Sequence, residues 1–249
     1  MSVRWVWLFL DLPEQGFETA LAFWQQVARS GLSPWRGEHR EFATLLPADG
    51  DPWLKVQRVG GGGGVHLDLD VEEPLPEAAE RAVGLGAAVV GDFGDVIVCR
   101  SPGGFVFCLT RWSAQESARG QARAGAGAGA ESLVDQVCLD VPSSGYAAEL
   151  AFWSQLTGWG VDDPDPDDEF VRLAWPSGMP VRFLFQRLVE SEGIVRGHVD
   201  LAAVDRATEV ERHRALGARV EGEGRGWTVM QGPAGHRYCV TDRDPRRGP

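Results

Sequence analysis

The sequence predicts an α+β fold of two tandem domains, each made of paired βαβββ modules that form a curled mixed sheet around a cup. Three observations carry that expectation. A set of short motifs recurs in one order at nearly constant spacing. Apolar residues switch between helical and strand periodicity in the same order in both halves. A Gly/Ala-rich stretch without periodicity lies between the halves.

The recurrence is specific. Ala22-Phe23-Trp24-Gln25-Gln26 returns 129 residues later as Ala151-Phe152-Trp153-Ser154-Gln155, and Val56-Gln57-Arg58-Val59 returns at the same shift as Phe185-Gln186-Arg187-Leu188. His66-Leu67-Asp68-Leu69 returns 132 residues later as His198-Val199-Asp200-Leu201. Leu85-Gly86-Ala87 and Phe107-Cys108-Leu109-Thr110 return 131 residues later as Leu216-Gly217-Ala218 and Tyr238-Cys239-Val240-Thr241. The chain is therefore a tandem duplication, and each polar residue can be weighed against its counterpart.

At 249 residues the chain accommodates two domains of near-modal size. With 43% hydrophobic and 24% charged residues, each half can bury its own core. Domain one is expected over residues 1–112 and domain two over 132–242. Residues 113–131 read as a flexible linker and 243–249, rich in Pro, Arg and Gly, as a disordered tail.

The elements follow in order. Half one starts with an alternating strand from Val3 to Leu12, and a helix from Phe17 to Ala28 carries apolar residues at helical spacing. Strands near Phe42 to Leu46 and Trp53 to Val59 come next. After the glycines 60–64, a strand spans Val65 to Val71, a helix spans Glu77 to Leu85, and further strands end at Thr110. Half two repeats this with a strand from Val134 to Val141 and a helix from Gly145 to Leu156, whose Tyr146, Leu150 and Trp153 share one side. Strands over 170–175, 181–188 and 198–204 follow. A helix over 207–216, closed by Gly217, then precedes three short strands ending at Thr241.

Strand parity divides these residues between two faces. Val199, Leu201 and Ala203 share the face expected under the helices, while His198 and Asp200 share the other. Gln136 and Cys138 fall on the cup side of their strand, as does Cys239 of the last strand. Half one places Trp5, Trp7, Phe9 and Asp11 on the cup side, together with His66, Asp68, Asp70, Cys108 and Thr110. The first cup is thus expected to be aromatic and the second polar.

The net charge of −12 argues against nucleic acid or an anionic membrane surface as a partner, since both require a basic face. The apolar run from Trp5 to Leu10 is too short for a signal peptide or a membrane span, and a cytoplasmic protein is expected. The four cysteines form no CxxC pair. Lys55 is the sole lysine among 24 basic residues, which reflects compositional bias rather than Schiff-base chemistry.

Gln-Arg-Val, His-Leu-Asp-Leu, Leu-Gly-Ala and Pro-x-Gly-x-x-x-Cys, recurring in that order, resemble the glyoxalase-like branch of the vicinal oxygen chelate superfamily, the glyoxalase and bleomycin-resistance fold. The resemblance covers residues 3–112 and 133–242. It implies metal ligands from the first, fifth and eighth strands, positions that fall on Gln136, His198 and Cys239 in domain two. In domain one they fall on Trp7, His66 and Cys108. The glutamate expected on the eighth strand is replaced by cysteine in both halves, which speaks against a glyoxalase I reaction.

Two functional readings follow. In the favoured one, a small hydrophobic or aromatic metabolite or drug is sequestered or processed in an aromatic-lined cup without a metal or other cofactor. Trp5, Trp7, Trp53, Gln57, His66, Asp68, Cys108 and Gln186 would contact it. The alternative is a metal-dependent lyase, isomerase or dioxygenase centred on domain two. Its divalent ion (zinc or iron) would be held by Gln136, His198 and Cys239, with His198 and Asp200 as catalytic residues. His-x-Asp also has a plain reading as a hydrogen-bonded pair that fixes the strand. A small-molecule ligand is expected on either functional reading, and a homodimer or an intramolecular pairing of the halves is left open.

Overall fold

The computed structural model describes residues 2–112, 131–162 and 168–245. Residues 113–130 of the expected linker and 246–249 of the expected tail lie outside them. Half one runs β1 (Val3–Pro13), α1 (Phe17–Val27), β2 (Gly31–Leu32), β3 (Phe42–Leu46), β4 (Leu54–Val59), β5 (Gly64–Val71), α2 (Leu75–Gly84), β6 (Ala88–Asp92), β7 (Val96–Arg100) and β8 (Val106–Arg111). Half two runs β9 (Ser132–Val141), α3 (Tyr146–Thr157), β10 (Val161–Asp162), β11 (Phe170–Leu173), β12 (Arg182–Arg187) and β13 (Arg196–Ala203), then α4 (Arg206–Ala215), β14 (Arg219–Glu223), β15 (Trp227–Gln231) and β16 (Arg237–Thr241). Each half is two βαβββ modules, as expected. The two-residue strands β2 and β10 were not anticipated, because two residues carry no periodicity.

The strand orders are β2-β3-β4-β1-β5-β8-β7-β6 and β10-β11-β12-β9-β13-β16-β15-β14, two mixed eight-stranded sheets that curl without closing. β1 runs parallel to β4, β5 to β8 and β13 to β16. The outer hairpins are antiparallel, with a register shift between Val89 and Gly91 that recurs between Val220 and Gly222. The duplication thus extends to the bulges.

The contacts group the modules into two compact units that each draw on both halves; β1 and β9 are divided between them, as are the first two residues of β5 and of β13 from the rest of those strands. One unit joins β5, α2 and β6–β8 to α3 and β10–β12. Here Trp153 of α3 packs on Phe107 and Phe105, with ring centroids 5.2 and 6.0 Å apart. Glu149, fully buried, accepts from the Gly103 backbone N–H and from Trp153 Nε1, each at 2.8 Å. A side chain at Gly103 would collide with Val195 and with that carboxylate, so glycine is required there.

The other unit joins α1 and β2–β4 to β13, α4 and β14–β16. Trp24 and Phe23 pack on Tyr238 at 5.2 and 5.9 Å. Beside them α4 carries a buried polar network. Glu209 accepts from Ser132 Oγ, from Arg212 Nε at 2.9 Å and from His213 Nε2 at 3.1 Å. His213 Nδ1 lies 2.9 Å from the Tyr238 hydroxyl, and burial pulls the His213 pKa down, favouring the neutral ring. Arg212 donates to the carbonyls of Gln26 and Val27, capping the C-terminal end of α1 where partial negative charge accumulates. Burial pushes the Glu209 carboxyl up, but hydrogen bonds from His213, Arg212 and Ser132 outweigh it and hold it well below the usual carboxylate range.

Arg243, assigned to the tail from sequence, is instead fastened. Its guanidinium makes a bidentate pair with the buried Asp135 at 2.7 and 2.8 Å, a planar match that orders the residue. Among the described residues no helix is long and apolar enough to cross a membrane.

Removing the Glu209 carboxylate strands Arg212 and His213. Glu209→Ala should therefore cost about 3–5 kcal/mol of unfolding free energy, read from urea denaturation. Because the folded-state pKa is depressed, this stabilisation is complete above the unfolded carboxylate value of about 4.3 and is lost as pH falls below it. Glu209→Gln should remove that component of the acid-induced loss; an unchanged pH dependence would contradict the assignment.

Candidate functional site

The site in domain two begins with strand pairing. β13 presents His198 and Asp200 on one face, and its parallel register with β16 sets Asp200 opposite Cys239. Asp200 Oδ1 lies 3.3 Å from His198 Nε2, and Cys239 Sγ lies 3.6 Å from the same nitrogen. Gln136 of β9 donates from Nε2 to the other carboxylate oxygen, Asp200 Oδ2, at 2.6 Å. The Asp200 and Cys239 side chains are buried, while that of His198 keeps 16% of its surface exposed.

This arrangement is not a nucleophile relay. A Cys–His–Asp relay uses opposite ring nitrogens, one to take the thiol proton and one to meet the carboxylate. Here thiol and carboxylate converge on Nε2, which as one ring nitrogen offers one proton or one lone pair. Among the described residues, Asp200 Oδ1 is buried and accepts no hydrogen bond, a costly state for a carboxylate oxygen. A carboxylate oxygen and a thiol sulfur thus both lie within 3.6 Å of one ring nitrogen. Tetrahedral zinc with N and O ligands near 2.0–2.2 Å and sulfur near 2.3 Å has ligand–ligand edges of about 3.3–3.6 Å. The N···O and N···S separations observed have that size.

Of the three residues the sequence offered as ligands, His198 and Cys239 lie together, while Gln136 turns its amide N–H toward Asp200, the residue expected beside His198 as catalytic.

Domain one repeats the frame with other contents. Asp68 stands opposite Cys108 in the parallel register of β5 and β8. His66 Nε2 lies 3.8 Å from Asp68 Oδ1, and ligand atoms of His66, Asp68 and Cys108 all lie within 4.8 Å of one another. Trp7, the counterpart of Gln136, donates from Nε1 to Asp70 Oδ2 at 3.0 Å, while Thr110 Oγ1 donates to Asp70 Oδ1 at 2.6 Å. In domain two Ala202 stands where Asp70 would be, and Thr241 donates to the Leu201 carbonyl instead. The paired exchange Trp7/Asp70 for Gln136/Ala202 was present in the repeat alignment, and it is the signal that could have found this latch.

The predicted aromatic wall is packing rather than open surface. Trp5, Trp7 and Trp53 are 0%, 5% and 3% exposed. Trp5 and Trp7 meet edge to face at 6.3 Å, and Trp53 Nε1 donates to the Val134 carbonyl at 2.9 Å. A cavity of about 40 Å³ beside Trp53, lined also by Ser30, Leu45 and Val134, has room for water but not for an aromatic ligand. Gln57 is half-buried on β4 opposite Asp11. Gln186 donates to Glu169 at an exposed position.

The family model for the glyoxalase-like domain matches the chain twice, over residues 7–110 and 136–241. No curated protein matches the chain. Among solved structures, 2,3-dioxygenase LapB from Pseudomonas sp. KL28 is 14% identical with a TM-score of 0.62, covering 100% of this chain and 96% of that one. The 2,2',3-trihydroxybiphenyl 1,2-dioxygenase from Sphingomonas wittichii strain RW1 is 17% identical with a TM-score of 0.60, covering 96% and 90%. A xylose isomerase-like TIM barrel/4-hydroxyphenylpyruvate dioxygenase fusion protein is 12% identical with a TM-score of 0.60; this chain is covered completely but spans only 49% of that one. At these identities the likeness establishes the fold.

Trp7→Phe should destabilise the protein by about 1–3 kcal/mol, since it leaves a buried carboxylate oxygen without its donor. Asp70→Ala should recover part of that loss in the double variant. Strictly additive losses in a chemical-denaturation cycle would show that the latch does not couple.

Proposed function

The chain belongs to the glyoxalase-like domain family, carrying the domain twice, and from that premise we propose that it is a metal-dependent enzyme of lyase, isomerase or dioxygenase type, with its site in domain two. The observation that carries this reading is the convergence of Asp200 Oδ1 and Cys239 Sγ on His198 Nε2, at 3.3 and 3.6 Å. His198, Asp200 and Cys239 would hold a divalent ion. When bound, the ion would act as a Lewis acid on an oxygen of a small-molecule substrate.

The chain's own residues supply the rest. Gln136 fixes the Asp200 carboxylate through Oδ2 and leaves Oδ1 directed at His198. His198 is the most exposed of the three donors, with 16% of its side-chain surface open. A neutral imidazole with one carboxylate and one thiolate balances a dication, so the buried set carries no net charge once loaded. The dioxygenase names of the solved structures with this fold agree with a metal-dependent reading, and the buried tryptophans withdraw support from sequestration in an aromatic cup.

Metal-titration calorimetry on chelator-stripped protein should detect zinc binding that His198→Ala abolishes at this site. Gln136→Ala should weaken binding by about 10–100-fold, because it frees the carboxylate rather than removing a ligand. Binding indifferent to both substitutions would sink the proposal.

A further inference from the structure

We infer that His236 is an acid-sensitive clasp, which ties the turn before β16 to β1 while its ring is neutral and lets go when the ring is protonated. His236 follows the turn Gly232-Pro233-Ala234-Gly235, and its Nε2 lies 2.8 Å from the backbone carbonyl of Asp11. A carbonyl only accepts, so Nε2 carries the ring proton and Nδ1 the lone pair. Among the described residues, that Nδ1 is buried without a hydrogen-bond partner. A second proton there would create a buried N–H with no acceptor, on a charged ring withdrawn from water. The glycine run 60–64, which the proposed function leaves unused, belongs to the same fitting. A Cβ at Gly63 would run into both the Asp11 carbonyl oxygen and the His236 imidazole, so the ring closes over a position that must stay bare.

The equivalent turn in the other unit shows what the imidazole replaces. Phe105 and Val195 stand at the repeat counterparts of His236 and Gly63. There the Val195 N–H donates to the Gly103 carbonyl at 2.8 Å, and the Glu149 carboxylate accepts from the Gly103 N–H. Charge around His236 comes from few groups. Asp11 of β1 favours the protonated ring, while Glu14 and Glu18 pair with Arg58 at 3.0 and 3.1 Å, and Arg237 pairs with Glu221. Burial outweighs the Asp11 carbonyl and carboxylate and pulls the His236 pKa below its ordinary value. The contribution of the clasp is therefore complete above the unfolded imidazole value of about 6.5 and is lost as pH falls below it. Mild acid should loosen this turn and spare the one at Gly103.

Two measurements on the full-length protein test this. In an NMR titration, the Gly63 Hα signal, which lies beside the ring, should move together with the His236 ring signal through one midpoint below about 6.5. A Gly63 signal that stays fixed while His236 titrates overturns the clasp. In urea denaturation, His236→Gln keeps an N–H for the Asp11 carbonyl but cannot titrate. Between about pH 7.5 and 5.5 the wild-type unfolding constant should rise by up to about tenfold relative to that of the variant. His39, His66, His198 and His213 are present in both proteins, so their titration cancels in the ratio. A ratio that stays constant across this range also overturns the clasp, and the NMR titration decides alone should the variant not fold.

Discussion

The parallel pairing of each His-x-Asp strand with the final strand of its half is the constraint from which the rest follows. It sets Asp200 opposite Cys239 and Asp68 opposite Cys108. A slip of one residue would turn every donor toward the helices and bring apolar side chains to the inner face. The apolar alternates, Leu67 and Leu69 in one half and Val199 and Leu201 in the other, hold the register because they are fully or almost fully buried. Hydrophobic burial on one face thus positions polar chemistry on the other.

That shared frame explains how the two halves diverge without losing their fold. The first strand of each half reaches the inner face with a different donor, and the fifth strand answers it. Trp7 is matched by Asp70, whereas Gln136 is matched by Asp200 with alanine at position 202. In domain one the first-strand group serves a structural carboxylate one step along the strand. In domain two it serves the carboxylate that faces His198. One exchange of partners separates a latch from an oriented donor set.

The packing of the modules adds a second asymmetry. The unit containing α3 buries its glutamate, Glu149, on that helix and uses it to hold a glycine turn. The unit containing α1 carries its glutamate on α4, within a network reaching His213, Tyr238 and the last carbonyls of α1. The repeat, the βαβββ order and the inner-face residues were legible from sequence because spacing and alternation encode them. Which modules pack together was not, since Arg212 and Gln26 meet only through tertiary structure. The contact between Gln136 and Asp200 was not legible for a related reason: parity places a side chain on a face but does not say which group on that face its amide meets. The tryptophans were read as a wall because parity does not reveal that neighbouring side chains cover them.

The proposed site requires sulfur, nitrogen and oxygen to bind one ion. X-ray absorption at the zinc edge of the zinc-loaded protein addresses it most directly. One sulfur neighbour per zinc is expected at about 2.3 Å, with the remaining shell of nitrogen and oxygen at about 2.0–2.2 Å. A shell without sulfur, or a protein that takes up no zinc, would contradict it.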